Sequence, residues 1–458
     1  MASTRKSQPG NDLVARVAAV LRRHVRRGDR VVAGLSGGID SLVMIDVLRR
    51  LMRRHGFRLA ALHINHQIHP RAVNWAAHCR KWCRGFGVPV TVVKVTVPPT
   101  ASLEAAAREQ RYRAFALAPA DFVALAHNLD DQAETVVMQL LRGSGARGLS
   151  AMPECRNAAH RSYAEDDGTA GPAPAILRPL LEIPRAQIED YARRRKLVWV
   201  EDSSNVDVRF DRNFLRHQVM PLVGQRYPAY RATLLRASRN AAEAAHLLDE
   251  LAELDLAGGG ADERGLGVSM LNALSAPRAK NVLRYFLSRR GVTMPNAARL
   301  DECVRQLRHS RAASFALDLD GRVLRRHGDT LHVVGSCPPV AGDFSREWHG
   351  EPCLRLPELG GTLEFEHCRG RGISLAKLGG PLTVRVRRGG ESLRPEPRRP
   401  LRSLKNLLQE ARVPPWSRGR LPLLYAGQIL VCVPGIGVDA AFQAARTEAG
   451  VVPRWKED

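Results

Sequence analysis

The chain has 458 residues, 44% of them hydrophobic and 25% charged, which is the balance of a globular protein of about three domains and excludes a disordered or fibrous chain. No apolar run approaches the roughly 18 residues needed to cross a bilayer, so an integral membrane protein is excluded as well. The charge is lopsided, 70 Lys and Arg against 46 Asp and Glu for a net +24, spread over both halves of the chain, and a field of that sign points to a polyanionic partner such as nucleic acid.

Met1 to Lys6 lead into polar residues and an amphipathic stretch, so no secretory leader is expected. Eight scattered cysteines (Cys79, Cys83, Cys155, Cys303, Cys337, Cys353, Cys368, Cys432) then read as free thiols of a reducing, cytoplasmic compartment. From Arg30 the pattern alternates. Strands are expected over 30–35, 58–64, 90–95 and 122–126, and helices over 41–55, 71–86, 102–117 and 130–142. That alternation predicts an α/β domain over 1–224, a doubly wound parallel sheet covered on both faces. Around Gly224 the pattern changes. A long Ala/Leu-rich helix over 229–256, stopped by Gly258-Gly259-Gly260, opens a mainly helical domain over 225–335, with helices over 276–290 and 296–309 and strands over 313–319 and 330–334. Residues 335–351 read as a Gly/Pro/Ser-rich linker. Residues 352–458 read as a small α+β domain with one helix over 403–411.

Chemistry concentrates in two tracts. Ser36-Gly37-Gly38-Ile39-Asp40-Ser41 lies between the first strand and its helix. There two glycines, successive N–H groups and a helix N-terminus make an anion nest, while Asp40 suits Mg²⁺ or orients the loop. It lacks the Gly-Lys-Ser/Thr ending of a Walker A loop; an ordinary Gly-rich turn is the blander alternative. The tract resembles the pyrophosphate loop of the N-type ATP pyrophosphatases, which cut ATP between the α and β phosphates. The second tract, His127-Asn128-Leu129-Asp130-Asp131-Gln132-Ala133-Glu134-Thr135, runs into a helix. Asp131 and Thr135 share one face, Asp130 and Glu134 a neighbouring one, and paired carboxylates beside a phosphate site suit a bridging metal. N-capping accounts for one of the two aspartates but not both. Gly143-Ser144-Gly145-Ala146-Arg147-Gly148 has the form of a dinucleotide fingerprint but follows a helix, and it reads as a flexible loop. His63, His66 and His69 lack a nearby cysteine or carboxylate, so no zinc site is expected there.

Together with His63-Ile64-Asn65-His66, Arg178-Pro179-Leu180-Leu181, Trp199-Val200-Glu201-Asp202-Ser203-Ser204-Asn205, Arg212-Asn213-Phe214-Leu215-Arg216, Arg388-Gly389-Gly390-Glu391, the run Leu404 to Glu410, Val413-Pro414-Pro415-Trp416 and Pro422-Leu423-Leu424-Tyr425, these tracts resemble the tRNA(Ile)-lysidine synthase family. The likeness covers the first 220 residues or so and about the last 75; a departure is Ala126, where the family more often has Gly. It implies ligation of free L-lysine to C2 of the wobble cytidine in the isoleucine tRNA with a CAU anticodon, through ATP-dependent adenylation of the base and release of AMP and pyrophosphate. It further implies ATP on Ser36, Gly37, Gly38, Ile39, Asp40, Ser41 and His63, Mg²⁺ on Asp40 and Asp131, and catalytic parts for Asp40, Asp131, His127 and Arg108. For tRNA it implies Arg212, Arg216, Arg388, Arg398, Arg399, Arg402 and Lys405, the last five within Arg385 to Lys405, where only Glu391 and Glu396 offset the cations. No membrane partner is implied, and a homodimer is left open. A tRNA thiolation enzyme of the same superfamily is the rival enzyme reading, but paired cysteines for a sulfur relay are absent. A non-catalytic RNA-binding module would not need the intact Gly-Gly and Asp-Asp tracts.

Overall fold

The first helix, α1 (Pro9–His24), buries Leu13, Val17, Val20 and Leu21 at helical spacing. The structure, a computed structural model, describes residues 9–67, 72–98, 103–157, 173–200, 207–258, 261–262, 265–309, 315–319, 321–335 and 340–457. His69, Cys337 and the tract Glu201 to Asn205 lie outside these residues. In β1 (Arg30–Gly34), Val31 and Ala33 pack into one apolar cluster and Val32 into another, so neither face of the strand sees water. A parallel sheet covered on both faces requires such a strand.

The elements then follow as α2 (Ile39–His55), β2 (Arg58–Asn65), α3 (Ala72–Phe86), β3 (Val90–Lys94), α4 (Leu103–Ala116), β4 (Phe122–Ala124), α5 (Leu129–Leu141), α6 (Ala146–Leu149), β5 (Cys155–Arg156), β6 (Ala175–Leu177) and α7 (Arg185–Arg194). The sheet order is β3-β2-β1-β4-β6-β5. β1 runs parallel to β2 and β4, β6 runs parallel to β4, and only the edge strand β5 is antiparallel. The doubly wound parallel sheet read from the alternation is therefore present. Its winding reverses between β1 and β4, and the crevice at their carboxyl ends is where open α/β sheets receive ligands.

A buried carboxylate fixes one helix that serves this crevice. Asp46 of α2 is fully buried; it accepts from the Tyr191 hydroxyl at 2.8 Å and from Arg195 Nε at 3.2 Å, both of the α7 region, and from Arg49 at 3.3 Å. Removing the acceptor strands all three donors. We expect Asp46→Ala to lower unfolding free energy by about 2–4 kcal/mol, read from urea denaturation.

After the sheet come α8 (Asp211–Phe214), a π-helical turn over Leu215–Val219, α9 (Met220–Arg226), α10 (Tyr230–Ala257), β7 (Ala261–Asp262), β8 (Gly265–Gly267), α11 (Val268–Ala273), α12 (Ala276–Arg289) and α13 (Ala297–His309). α10 stops at Gly258, and β8 pairs antiparallel with the start of the strand Thr330–Gly335. The chain divides into two compact units, Met1–Ala312 with Asp329–Val333, and Ala313–Gly328 with Val334–Asp458.

The second unit is built from antiparallel sheets and the helix Leu404–Glu410, around Leu356, Leu363, Leu382, Val384, Leu424, Val431 and Val451. The expected linker over 335–351 needs correction. Ser345–Trp348 is a strand paired with Leu382–Arg385, and Trp348 is buried, stacked on Phe365 at 4.3 Å. One aromatic anchor outweighs the turn-rich composition around it. No helix among the described residues is long and apolar enough to cross a membrane.

Candidate active site

The Gly-rich tract leaves β1 and turns sharply into α2. Gly37 has φ +88°, a left-handed conformation that a side chain resists, and a Cβ there would also meet Cys79 Sγ at 3.4 Å. The loop is closed from within. Ser41 Oγ donates to the Gly38 carbonyl at 2.8 Å, Gly38 N donates to Ser36 Oγ at 3.3 Å, and the two serine hydroxyls lie 3.1 Å apart. Val200 N donates to the Gly37 carbonyl at 3.0 Å, pinning the loop from outside. Gly38 caps α2 without a side chain, so the helix N-terminus keeps free donors for an anion.

Asn128, not either aspartate, caps α5. Its Oδ1 accepts from Asp130 N and Asp131 N, each at 3.0 Å, while Asn128 N donates to Asp131 Oδ2 at 3.0 Å, a reciprocal capping box. Asn128 Nδ2 then reaches across to Asp40 Oδ1 at 3.1 Å, joining the two tracts. The arginine partners of the carboxylates cut across the two expected faces. Asp131 and Glu134 share Arg212 and Arg216: Arg212 reaches Glu134 at 2.9 Å and Asp131 at 3.1 Å, and Arg216 reaches them at 2.7 and 2.8 Å. Asp130 turns instead to Arg231 at 2.5 Å and to Arg185 N at 2.9 Å. Thr135 Oγ1 donates to the Asp131 carbonyl.

Burial pushes the Asp131 carboxyl up, but the Arg212 and Arg216 guanidiniums more than offset it and hold it below the usual range. Asp40 shows the opposite balance. Burial, helped by nearby Asp131, lifts it to about 6 against the pull of Arg185, whose Nη1 stands 4.0 Å away. A half-buried carboxylate short of positive charge fits a divalent cation, and a carboxylate has lone pairs beyond the single Asn128 bond. Asp131 fits less fully, since two guanidiniums already share its charge.

With Asp40, the residues Ser36, Gly38, Ile39, Asp130, Glu134, Arg185, Trp199, His217, Tyr230 and Arg231 help line a cavity of about 990 Å³, ample for a nucleotide. His127 directly precedes the Asn128 cap of α5 and lies within electrostatic reach of Asp131. Its Nδ1 accepts from Arg178 Nε at 3.3 Å, so the ring proton sits on Nε2; burial and Arg178 depress its basicity strongly. His127 is thus a neutral donor rather than a cation.

The amino-terminal half, residues 11–223, matches the PP-loop domain family; residues 266–332 match the TilS substrate binding domain and 382–455 the TilS substrate C-terminal domain. The tRNA(Ile)-lysidine synthase of Nitrosomonas europaea is 42% identical over 442 residues, 95% of this chain and 93% of that protein. The chain belongs to the tRNA(Ile)-lysidine synthase family. The same enzyme of Azoarcus is 39% identical over 97% of this chain and 96% of its own. Among solved structures, the U34-tRNA thiolase of Methanococcus maripaludis is 19% identical, with a TM-score of 0.42 over 51% of this chain and 79% of that one.

Set against the expectations drawn from likeness to this family, the ATP-loop residues and Asp40, Asp131 and His127 come together at one edge. Three expectations shift. Arg212 and Arg216, expected on tRNA, are turned inward to Asp131 and Glu134, because bidentate carboxylate pairing outcompetes solvent for a half-buried guanidinium. His63, expected beside ATP, is buried and donates from Nδ1 to the Leu35 carbonyl at 2.8 Å, so it braces the start of the loop from beneath. Arg108 lies over the Tyr112 ring at 5.2 Å, exposed on α4. Sequence reasoning missed Arg185, Tyr230 and Arg231; no local pattern marks them, and only the fold carries them to Asp40 and Asp130.

In the carboxy-terminal unit, Arg399 pairs with Glu396 at 2.9 Å, Arg402 with Glu410 at 2.9 Å, and Arg388 Nε donates to the Gly342 carbonyl at 2.9 Å. Arg398 and Lys405 are exposed, and no ion pair holds either among the described residues.

Proposed function

We propose that the chain joins free L-lysine to C2 of the wobble cytidine of the isoleucine tRNA with a CAU anticodon, after adenylating that base with ATP. The cytidine O2 attacks the α phosphorus, the bond to the bridging oxygen of the β phosphate breaks, and pyrophosphate leaves. The neutral ε-amine of lysine then adds to C2, AMP departs, and the amine loses a proton. An amide-like carbonyl is a poor electrophile, and the adenylate gives it a leaving group. Base chemistry of this kind also requires the nucleotide to be splayed from its stack.

The observation that carries this reading is the uncapped N-terminus of α2, inside a self-closed Gly-rich loop and joined through Asn128 to the Asp131 box. Its N–H groups would receive the departing pyrophosphate. Mg²⁺ would be held by Asp40 and, to a lesser degree, Asp131, and when bound it neutralises phosphate charge. His127 would offer Nε2–H to an oxygen that gains charge as the α phosphate is attacked. Arg212 and Arg216 would keep Asp131 and Glu134 ionised and fixed. Mass spectrometry of nucleosides from tRNA incubated with the protein, ATP and labelled lysine tests the product directly.

The exposed arginines of the carboxy-terminal unit would hold the tRNA backbone. Arg398→Ala should weaken tRNA binding and lower the slope of log affinity against log salt by about 0.9, as expected for one lost phosphate contact. Arg402→Ala, already partnered by Glu410, should lower it by less; filter binding over a salt series reads both.

A further inference from the structure

On one side of His127 every guanidinium has found a carboxylate, Arg212 and Arg216 on Asp131 and Glu134, and Arg231 on Asp130. The other side is built differently. Arg108 of α4, Arg156 of β5 and Arg178, just past β6, converge on Tyr112, with no carboxylate in ion-pair reach of any of the three among the described residues. Arg178 is 2% exposed; it donates to His127 Nδ1 and, at 2.8 Å, to the Pro153 carbonyl, and it bonds the Tyr112 hydroxyl. The guanidinium carbons of Arg108 and Arg156 sit over the Tyr112 ring at 5.2 and 5.3 Å. Burial together with Arg156 and Arg108 weakens the hold of Arg178 on its proton, and the three cations bring the buried Tyr112 hydroxyl below its usual range. Arg108 is exposed, Arg156 half-buried and Arg178 buried, so the cluster opens to solvent at one end.

Gathering cations around a buried guanidinium with no carboxylate beside them among the described residues is costly, and the same crevice shows that this chain can supply carboxylates where it needs them. We propose that Arg156 and Arg178, with Arg108 at the mouth, form a site for a phosphate-type oxyanion of a substrate. Forks arriving from three elements match phosphate oxygens, and Tyr112 fixes two of them by stacking. The site rests on the reaction proposed above, which brings two such groups to this edge: the phosphates of ATP, and the RNA phosphodiester flanking the reacting nucleotide. It assigns to Arg178 a second task, orienting His127 while it holds the anion.

The test uses full-length Arg156→Gln, with Arg156→Lys and Arg178→Lys beside it, each checked for an unchanged melting transition. A tRNA Kd raised about tenfold by Arg156→Gln, with a shallower salt slope and unchanged ATP Kd, identifies the RNA phosphodiester as occupant. An ATP Kd raised about tenfold, with tRNA binding unchanged, identifies the nucleotide phosphate. Either supports the site, and Arg156→Lys should recover part of the loss. If the Gln variant and Arg178→Lys both bind tRNA and ATP as the parent does, or if only the KM for lysine rises, the proposal is overturned. Incorporation of labelled lysine by the unaltered protein, run in the same assay, reports on the reaction itself and separates the two failures.

Discussion

Asp131→Asn is expected to lower the rate of AMP formation by about a hundredfold to a thousandfold while changing tRNA affinity by less than about threefold. Asparagine keeps the size of the N3 residue and can still accept from Asn128 N, so the α5 cap survives. It removes the charge that Arg212 and Arg216 share, leaving Glu134 alone to face two guanidiniums. Asp131 also stands near Asp40 and raises its cost of ionisation. The loss should therefore fall on chemistry rather than on RNA binding, which we propose rests mainly on the exposed cations of the carboxy-terminal unit. Turnover with labelled ATP, followed beside filter binding, checks both halves; full turnover in this variant would remove Asp131 from the site.

Asp40→Asn should act in opposite directions on activity and stability. It should abolish AMP formation, because the half-buried carboxylate beside the loop is gone. In EDTA at pH 7 it should also raise the melting temperature by about 2–4 °C, equivalent to about 1–2 kcal/mol. The sign follows from proton linkage. Asp40 is lifted from 3.8 to about 6 in the folded chain, so the folded state binds this proton more tightly than the unfolded state does. Its contribution to stability is complete below the unfolded value, falls as pH rises between 3.8 and about 6, and is a full penalty at pH 7. Asparagine removes the penalty, so the gain should vanish at pH 4. Adding Mg²⁺ should stabilise the parent chain and leave Asp40→Asn unmoved.

Much of the site was legible because its chemistry is local. The Ser36 to Ser41 loop and the His127 to Thr135 run each sit where a strand gives way to a helix, and hydrophobic alternation alone places both at the same sheet edge. What escaped reading is tertiary. In a chain with 70 cations, nothing local separates Arg185 or Arg231, which meet acidic groups of the crevice, from a solvated arginine. Likeness put Arg212 and Arg216 on the RNA; only a fold that carries α8 and the π-helical turn against α5 reveals their carboxylate partners. The partners of Asp130 and Asp131 escaped reading for a related reason. Asn128 took the cap, which committed Asp131 to the box and freed Asp130 for Arg185 N and Arg231. The strand Ser345–Trp348 was hidden because a turn-rich composition masked a single buried tryptophan.

In the proposed reaction ATP activates the base and not the amino acid. The most direct measurement is pyrophosphate release in reactions lacking one substrate at a time. With ATP and the isoleucine tRNA but no lysine, pyrophosphate should appear, and a tRNA whose wobble cytidine is replaced by uridine should not support it. Lysine blocked at its ε-amine should leave that step intact and stop only the second, whereas lysine esterified at its carboxyl should still react. Pyrophosphate release that depends on lysine and proceeds without tRNA would contradict the account.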